Sequence, residues 1–437
     1  MKKEKVPVSG ELQPIASECL TMAALAAPLA RKDQVLKRSV LVPVMAMAFL
    51  AVSWWFLASL QDDPAMAVRG DDYWAMSTWF SSFGPFPYTH FGPGYPFLIH
   101  LLRSIGVTMF GLLILQKAMV AALGYAIYRI GRLLGLPVAV AAAAGFAFTI
   151  FPIVQATSSL FFSETFYLLL IVFATWLFLD AKRLQGRALL LRLVLTFGLL
   201  GLAALVRGNA LVLLASFALI GCFRFPLRAV ILAAVIGGVP ILGWSAMNYQ
   251  WYGHFKPTSS GDANIAASLV GPVMADLEGK PRVAGPEVWI ESGGRWQDHA
   301  PNLFEFSLAA RKMAIAYAAQ HPVAVVIGNV KGWFHSLLGP ARADILQFFG
   351  PNAQWLVAVS LAVRAALLAG LLGFFAGGAW RRQTTFAAVL LCLLFAHVVP
   401  AGAAGYARFG FPIDAFSVLA LALLVQYCRH RGQVPAA

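Results

Sequence analysis

Two adjacent aspartates, Asp71 and Asp72, open a polar and aromatic stretch, residues 69–96, that stands between long apolar runs. A carboxylate beside a reacting hydroxyl can act as a general base, and a neighbouring carboxylate raises its pKa, which favours that role. The stretch ends in HFGPGYP, where Pro93 and Pro96 lack backbone N–H donors and the glycines permit unusual φ angles, so we expect no regular helix there. We predict that this stretch forms the floor of an active site. A simpler interpretation makes Asp72 the cap of the helix that follows and leaves Asp71 in solvent.

Four further ionisable residues stand at the boundaries of apolar runs: Glu164, Arg207, Arg408 and His90. An arginine placed there can bind a phosphate through its planar fork, and a carboxylate can hold a cation or an acceptor group. Each residue also has an ordinary structural role open to it. Glu164 follows Ser163 and suits the first turn of a helix, the two arginines could extend to lipid headgroups, and the histidine could serve as a hydrogen-bonding group.

The composition of the chain determines where these residues must lie. Of 437 residues, 60% are hydrophobic and only 12% are charged, with a mean hydropathy of +0.74. This balance predicts an all-α polytopic membrane protein and gives no reason to expect a nucleic-acid partner. We expect no cleavable signal peptide. The four cysteines lie in the tail, in spans or at span ends, and none lies in the long polar segments, so they imply no disulfide framework and no zinc site.

About ten apolar segments are long enough to be predicted as transmembrane helices, because about 20 residues cover 30 Å of hydrocarbon. They are residues 39–60, 106–130, 136–156, 162–179, 188–206, 209–223, 228–247, 352–378, 384–401 and 409–427. Of these, the segment 209–223 is short for a crossing.

These spans divide the chain into four predicted parts. They are a cytoplasmic N-terminal tail (1–38), an N-terminal transmembrane module (39–247) with a first external loop (61–105), a long external loop (248–351) and a C-terminal transmembrane module (352–437). In the long loop, Asn302 and Glu305 predict a capping box for a helix to residue 320, and a second, interfacial helix is expected over 322–339. We expect another interfacial helix over 97–105 and mostly loop over 256–294.

The distribution of Lys and Arg predicts the orientation. With the N-terminus in the cytoplasm, nineteen of the 33 basic residues fall on the cytoplasmic side and four in the short loops opposite. The candidate residues then share the external face: Asp71, Asp72, His90, Glu164, Arg207 and Arg408. Because ionisable groups at a membrane boundary are costly unless they face protein or water, this convergence indicates a shared polar cavity.

Five short motifs contain or flank these residues. They are GDDYWAMSTWF with FGPGYPFLIHLL in the first loop, FFSETFYLLL with Glu164, LVRGNALVLL with Arg207, GWSAMNYQWYGHFKPTS with Asn248, and ARFGFPIDAF with Arg408. In this order the set resembles the bacterial polyprenyl-phosphate-sugar-dependent glycosyltransferases of the GT-C fold. That broad group includes protein O-mannosyltransferase-like enzymes and the lipid A aminoarabinose transferase.

The resemblance implies a role for each motif. Asp71 would be the catalytic base, Asp72 would hold geometry or a cation, and Arg207 and Arg408 would bind the donor phosphate. Glu164 would be a second acidic group for a metal or an acceptor. Further substrate contacts are expected from His90, Tyr88, Tyr95 and Asn248, with the two tyrosines able to stack on a sugar. A divalent cation is a candidate cofactor. Two positions depart from the family's pattern. Gly92-Pro93 has no acidic neighbour, which weakens the case for a metal ligand there, and Met247 stands where the family often has Arg.

The expected function is an inverting glycosyltransferase of a bacterial cytoplasmic membrane. It would move a sugar from a polyprenyl-phosphate-linked donor to a lipid, a glycan or, less readily, a protein on the external face. An O-antigen ligase or polymerase is an alternative that uses a similar donor. A lipid or sugar transporter is a third interpretation, although the paired broken spans typical of transporters are not evident in the sequence.

Overall fold

The computed structural model describes residues 73–82, 84–280 and 303–431, which belong to one compact unit, Ser53–Ala437. Every regular element in these ranges is helical. Seven helices are long and apolar enough to cross a membrane, or up to nine if two sharply bent helix pairs each count as one span. The chain is therefore an all-helical, multi-pass membrane protein, as the sequence predicts. The predicted span 39–60 and the tail before it lie outside the described residues.

The seven long helices are α3 (Met109–Leu133), α6 (Glu164–Asp180), α7 (Gly186–Val206), α9 (Leu227–Tyr252), α15 (Gln354–Ala376), α16 (Thr384–Ala401) and α17 (Phe411–Arg431). The shorter α-helices are α1 (Tyr73–Thr78), α2 (Gly94–Ser104), α4 (Val138–Thr149), α5 (Pro152–Ser158), α8 (Ala210–Cys222), α10 (Ser260–Asn264), α11 (Gly271–Leu277), α12 (Leu303–Gln320), α13 (Pro322–Leu338) and α14 (Arg342–Phe349). A π-helix covers Ile265–Val270, and short 3₁₀ turns cover Trp79–Ser81, Ala181–Arg183, Ala379–Arg382, Gly402–Ala404 and Ala407–Gly410.

The long helices present apolar side chains to the outside of the bundle. On α9, for example, Ile231, Val235 and Val239 are each more than half exposed, at 52%, 59% and 59%. They recur every four residues and so form one stripe along the helix. Water would disfavour such a continuous apolar stripe, whereas lipid accommodates it.

Close helix crossings in the bundle depend on pairs of glycines. A Cβ atom at Gly201 of α7 would lie 1.9 Å from the carbonyl oxygen of Gly237 on α9. A Cβ atom at Gly145 of α4 would lie 2.3 Å from the carbonyl oxygen of Gly124 on α3. Small residues that let two backbones touch are typical of helix packing in membranes.

Three predictions about local structure need correction. The predicted span 136–156 is interrupted, because α4 and α5 are bent by 53°. The HFGPGYP segment is helical from Gly94 onward, since Pro96 lies in a first turn whose N–H groups need no helical partner. The predicted loop 256–294 contains α10, the π-helix and α11 between residues 260 and 277, because its apolar part packs against α12.

Two other expectations agree with the structure. The helix expected over 97–105 occurs as α2, which buries Tyr95 and Ile99 and exposes Phe97 and Leu101 on its other side. The expected helices of the long loop occur as α12 and α13, which meet at an angle of 109°.

The module boundary expected at residue 248 falls inside α9, which continues to Tyr252.

Candidate functional site

Glu164 and Arg207 form an ion pair at the predicted external end of the bundle. Glu164 begins α6 and Arg207 directly follows α7, so both residues stand where their helices end at the same side. The Arg207 Nη2 atom donates to Glu164 Oε1 at 2.9 Å, with Glu164 buried and Arg207 partly exposed. The positive end of the α6 dipole also favours a carboxylate at that position. The structure therefore brings these two of the predicted site residues together.

A second polar pair lies directly behind Arg207. The Arg207 guanidinium carbon is 6.0 Å from the centre of the Tyr167 ring, and the Tyr167 hydroxyl is 3.0 Å from His397 Nε2. His397 Nδ1 lies 2.9 Å from the Leu393 carbonyl oxygen, which can only accept. The proton of a neutral His397 is therefore on Nδ1, and the Tyr167 hydroxyl donates to Nε2.

Neither Tyr167 nor His397 was predicted as a site residue, although each carries a signal in the sequence. Tyr167 follows Glu164 by three positions and shares its helix face. His397 is a single ionisable residue in an otherwise apolar span, which is a reason to suspect a functional or packing role.

The first external loop is held against the end of α7 by two glycines. A Cβ atom at Gly92 would lie 2.1 Å from the carbonyl oxygen of Leu205, and one at Gly94 would lie 2.9 Å from Val206 Cγ2. Real Cβ atoms do not approach this closely, so only glycine allows the contact. Because Arg207 is the next residue along the chain, the HFGPGYP segment is packed beside the ion pair.

Helix α1 fixes the chain that immediately follows the two aspartates. The Tyr73 hydroxyl lies 3.3 Å from Ser163 Oγ, one residue before Glu164. Arg103 Nη1 donates to the Trp74 carbonyl oxygen at 3.0 Å and to Ser77 Oγ at 2.8 Å. Helix α1 is thus tied both to the start of α6 and to α2. Asp71 and Asp72 themselves lie outside the described residues.

The predicted substrate contacts in the first loop occupy different environments. Tyr95 is buried, with its hydroxyl donating to Gln116 Oε1 at 3.4 Å. Burial raises the pKa of Tyr95 above its ordinary value, and the nearby Tyr73 and Glu164 add to the shift. Such burial makes Tyr95 a support of the site. Tyr88 is partly exposed and packs edge-on against Phe86.

His90 follows Tyr88 in the same loop. It retains part of its surface area, yet desolvation by the surrounding chain lowers its pKa to about 4. The imidazole is therefore neutral at neutral pH, and one ring nitrogen can accept a hydrogen bond.

Asn248 organises the segment that follows α9. Its buried Nδ2 group donates to the carbonyl oxygens of Lys256 and Pro257, at 2.7 and 3.1 Å. The backbone N–H of Ser259 then donates to the Thr89 carbonyl oxygen at 2.8 Å, which joins this segment to the first loop. The side chain predicted as a substrate contact is thus engaged in holding the backbone of this segment.

Two hydroxyl groups lie beside Gly208, the residue that follows Arg207. Thr258 Oγ1 and Ser260 Oγ are 2.7 Å apart, and each would be 3.9 Å from a Cβ atom at Gly208. The segment after α9 therefore contributes a polar wall, formed by Thr258 and Ser260, beside the residue that follows Arg207.

Asp262 anchors the next part of this segment. Its two carboxylate oxygens accept from Lys256 Nζ at 2.5 Å and from Arg311 Nη1 at 2.9 Å. Partial burial raises the pKa of Asp262, but the hydrogen bonds and charges of Lys256 and Arg311 outweigh it and hold the pKa below its usual value. The ion pairs tie α10 to α12.

A third polar cluster lies just after the bend between α4 and α5, where Pro152 begins α5. The buried Lys117 Nζ lies within 3.0 Å of four acceptors: the carbonyl and side-chain oxygens of Gln155, and the hydroxyls of Ser158 and Ser159. An apolar span would not provide these acceptors, so the interrupted helix supplies them around the ammonium group. From the sequence, Lys117 had no predicted role beyond its position in a span.

The C-terminal module contains a fully buried ion pair. Arg364 donates to Asp414 Oδ2 through Nε and Nη2, at 3.1 and 2.7 Å, and through Nη1 to the carbonyl oxygens of Ser336 and Gly339. The turn Ala407–Gly410 packs against the backbone of Ser336, one of the residues that Arg364 contacts. A Cβ atom at Gly410 would lie only 2.2 Å from the Ser336 carbonyl oxygen. This turn carries Arg408, whose side chain lies outside the described residues.

An apolar cavity of about 320 Å³ lies between the π-helix, α12 and α13. Its walls include Leu269, Ile315, Val326 and Trp333. The segment around Asp262 leads into it, since the π-helix begins three residues later. A cavity of this kind suits a hydrocarbon chain.

A cation site is not assembled by the residues that the structure describes. Within them, no three His, Cys, Asp or Glu side chains come together as a metal site would require. Glu164, the acidic candidate in these ranges, directs Oε1 to Arg207. The two adjacent aspartates lie outside these ranges.

No protein-family model and no curated protein matches the sequence. A solved structure that can be superposed on this chain is the archaeal oligosaccharyltransferase AglB from Archaeoglobus fulgidus, in complex with an inhibitory peptide and a dolichol-phosphate. The superposition has a TM-score of 0.43 and 15% identity, and covers 88% of this chain and 52% of that one. This chain therefore spans about half the length of that protein.

Proposed function

We propose that this chain is an integral-membrane glycosyltransferase that transfers a sugar from a polyprenyl-phosphate-linked donor, with inversion, to a lipid, glycan or protein acceptor. The observation that carries the proposal is the position of the Glu164–Arg207 pair beside the first external loop. A partly exposed arginine, a carboxylate that orients it and a loop that begins with two aspartates are the groups that such a transfer needs. The resemblance of the five ordered motifs to GT-C glycosyltransferases supports the same assignment.

In the proposed reaction, an acceptor hydroxyl attacks the anomeric carbon of the donor sugar. The new bond joins the acceptor oxygen to that carbon, and the bond from the carbon to the phosphate oxygen breaks. Asp71 takes the proton of the hydroxyl, and the electron pair of the broken bond leaves with the polyprenyl phosphate. Arg207 stabilises the negative charge that develops on this phosphate.

Glu164 acts on Arg207 in this proposal, and not on the substrate. Its short ion pair fixes the direction of the guanidinium group, and the Tyr167 ring with its hydrogen bond to His397 supports the other side. Fixed donors are worth more in a transition state than mobile ones, because no reorganisation is needed when charge develops. Arg408 serves as a second phosphate ligand, and Asp72 holds the geometry of the base.

The membrane setting also fits a lipid-linked donor. A polyprenyl chain would lie in the membrane or along an apolar surface, and the cavity beside Leu269 and Trp333 offers such a surface next to the segment that forms the polar wall. The acceptor would approach from the external side, over the first loop, where Tyr88 and His90 are partly exposed.

The experiment that tests the proposal replaces Asp71 with an isosteric amide. We expect Asp71→Asn to abolish sugar transfer without lowering the amount of protein in the membrane, because an amide cannot accept the proton. The measurement is mass spectrometry of envelope lipids and glycans from a deletion strain complemented with each variant. Transfer by the purified proteins is then compared, using the sugar and acceptor that the deletion reveals.

Two matched variants make the result decisive. Asp180→Asn removes a carboxylate that pairs with Arg192 at 3.3 Å at the other end of α6, so transfer should remain near the wild-type level. Loss of sugar transfer in Asp72→Asn but not in Asp71→Asn would identify Asp72 as the base. Near-wild-type transfer by both variants of the aspartate pair would exclude this site as the base.

The same experiment separates the alternative functions. Deletion of a ligase or polymerase would change the length or attachment of a glycan, whereas deletion of a single-sugar transferase would leave the product without one sugar. A transporter would leave the purified protein unable to form any glycosidic bond, whichever residue is changed.

A further inference from the structure

A cavity of about 450 Å³ lies at the opposite end of the bundle from the proposed active site. It is formed where α6 turns into α7 and where α8 turns into α9, with Lys182 and Gln185 on one side and Arg224 on the other. The positive-inside count predicts that this end faces the cytoplasm. None of the groups assigned to sugar transfer lines it.

The charges that line this cavity have one sign. Lys182 and Arg224 both belong to its wall, and none of the described residues in the wall is acidic. Asp180, which is two residues before Lys182, is engaged with Arg192 at 3.3 Å. Two cations around one concave space at a membrane boundary repel each other, and an anion between them removes that repulsion.

Two long helices also begin at the cavity. The wall includes Gln185 and Gly186, where α7 starts, and Pro226, the residue before α9. Neither helix has a side-chain cap at this end. Their positive dipole ends therefore add to the field of Lys182 and Arg224.

The rest of the wall is apolar. Leu184, Leu189 and Phe225 line the cavity together with the polar groups. Just outside it, Phe223 is 81% exposed, as expected for a side chain that contacts lipid. A free phosphate ion would leave the apolar wall uncovered, whereas a phospholipid places its phosphate among the cations and its glycerol and upper chains along the leucines and the phenylalanine.

We propose that this cavity binds the headgroup phosphate of an anionic phospholipid from the cytoplasmic leaflet, held by Lys182 and Arg224. The site is separate from the proposed sugar-transfer site and does not depend on it.

The test measures lipid binding to the full-length protein, both in nanodiscs and by native mass spectrometry. We expect phosphatidylglycerol to bind at least about tenfold more tightly than phosphatidylcholine with the same chains, and the double variant Lys182→Gln/Arg224→Gln to lose this preference. The charge-preserving variant Lys182→Arg/Arg224→Lys should retain most of it. The double variant Arg381→Gln/Arg382→Gln removes the same charge elsewhere at this end of the bundle and should behave like the wild type.

Two controls distinguish lipid binding from a lost structural contact and from binding of free phosphate. Arg224 Nη2 donates to Thr384 Oγ1 at 2.8 Å, so Thr384→Ala removes that bond without a change of charge and should keep the lipid preference. Inorganic phosphate at millimolar concentration should neither displace the lipid nor raise the unfolding temperature. An equal lipid preference in wild type and Lys182→Gln/Arg224→Gln, or full displacement by inorganic phosphate, would overturn the proposal.

Discussion

Two arginine–carboxylate pairs in this protein use the same chemistry in different surroundings. Arg364 has no exposed side-chain surface, and its donors are directed to Asp414 and to two backbone carbonyl oxygens. Arg207 keeps 18% of its side chain exposed, next to a polar wall and the first external loop. Solvent can reach the second guanidinium and not the first. Exposure, and not the presence of an ion pair, therefore marks the arginine that is available for a reaction.

The largest effect on stability is expected from Arg364→Ala. This change leaves Asp414 buried without its partner and removes the donors to the Ser336 and Gly339 carbonyl oxygens. The free energy of unfolding should fall by about 3–5 kcal/mol. Denaturant or thermal unfolding in detergent measures it. The double variant Arg364→Met/Asp414→Leu should recover the part of the loss that comes from the unpaired Asp414 carboxylate, because it leaves no buried charge. An unchanged midpoint for Arg364→Ala would show that the buried pair does not stabilise the fold.

Arg207→Ala is expected to lower activity strongly, and it should also lower stability because the buried Glu164 carboxylate loses its Arg207 partner. Removing one preorganised donor to developing charge typically lowers turnover by about 10²–10³. Arg207→Lys should retain part of the activity, because it keeps the charge and loses the planar fork. The measurement is sugar transfer at limiting and saturating donor. Wild-type turnover by Arg207→Ala at limiting donor would mean that this arginine serves only as the structural partner of Glu164.

Gly92→Ala tests the contact that places the first loop beside Arg207. The new Cβ would lie 2.1 Å from the Leu205 carbonyl oxygen, so the loop must move. We expect a loss of about 1–3 kcal/mol in unfolding free energy, together with weaker transfer. Gly84→Ala is the matched control, since its Cβ would meet no atom closer than 4.0 Å. Equal behaviour of the two variants would contradict the close approach.

The smallest effect is expected at Asp262, whose partners Lys256 and Arg311 are well exposed. Asp262→Asn should cost at most about 1 kcal/mol, the size of a solvent-accessible pair. Because the folded pKa of Asp262 lies below the unfolded value of 3.8, its contribution is present above pH 3.8 and is lost as the pH falls through the folded pKa. The unfolding free energies of wild type and variant should therefore converge in acid. A constant difference across that range would exclude ionisation as the cause.

Much of the architecture could be predicted from local properties of the sequence. The long apolar segments correspond to helices of the bundle because apolar length is a property of each segment by itself. The placement of Glu164 and Arg207 at one end followed from the distribution of basic residues, which also acts loop by loop. The interruption of the span 136–156 has a local signal in Pro152, which stands at the break, whereas the contact of the following segment with Lys117 arises only when the helices pack.

The pairings inside the bundle depend on the packing of distant segments. Glu164 and Arg207 are 43 residues apart, and Tyr167 and His397 are 230 residues apart, so no local pattern joins them. In the sequence, Arg364 and Arg207 are both single arginines at or near apolar runs, and each could extend to the membrane surface. The packing of the helices around Asp414 encloses one guanidinium, and the contact of Gly92 with the end of α7 leaves the other beside a polar wall. Segment composition sets which residue types stand at the membrane boundary, because it acts on each segment separately. Which of those residues are buried supports and which can meet a substrate depends on contacts between segments far apart in the chain.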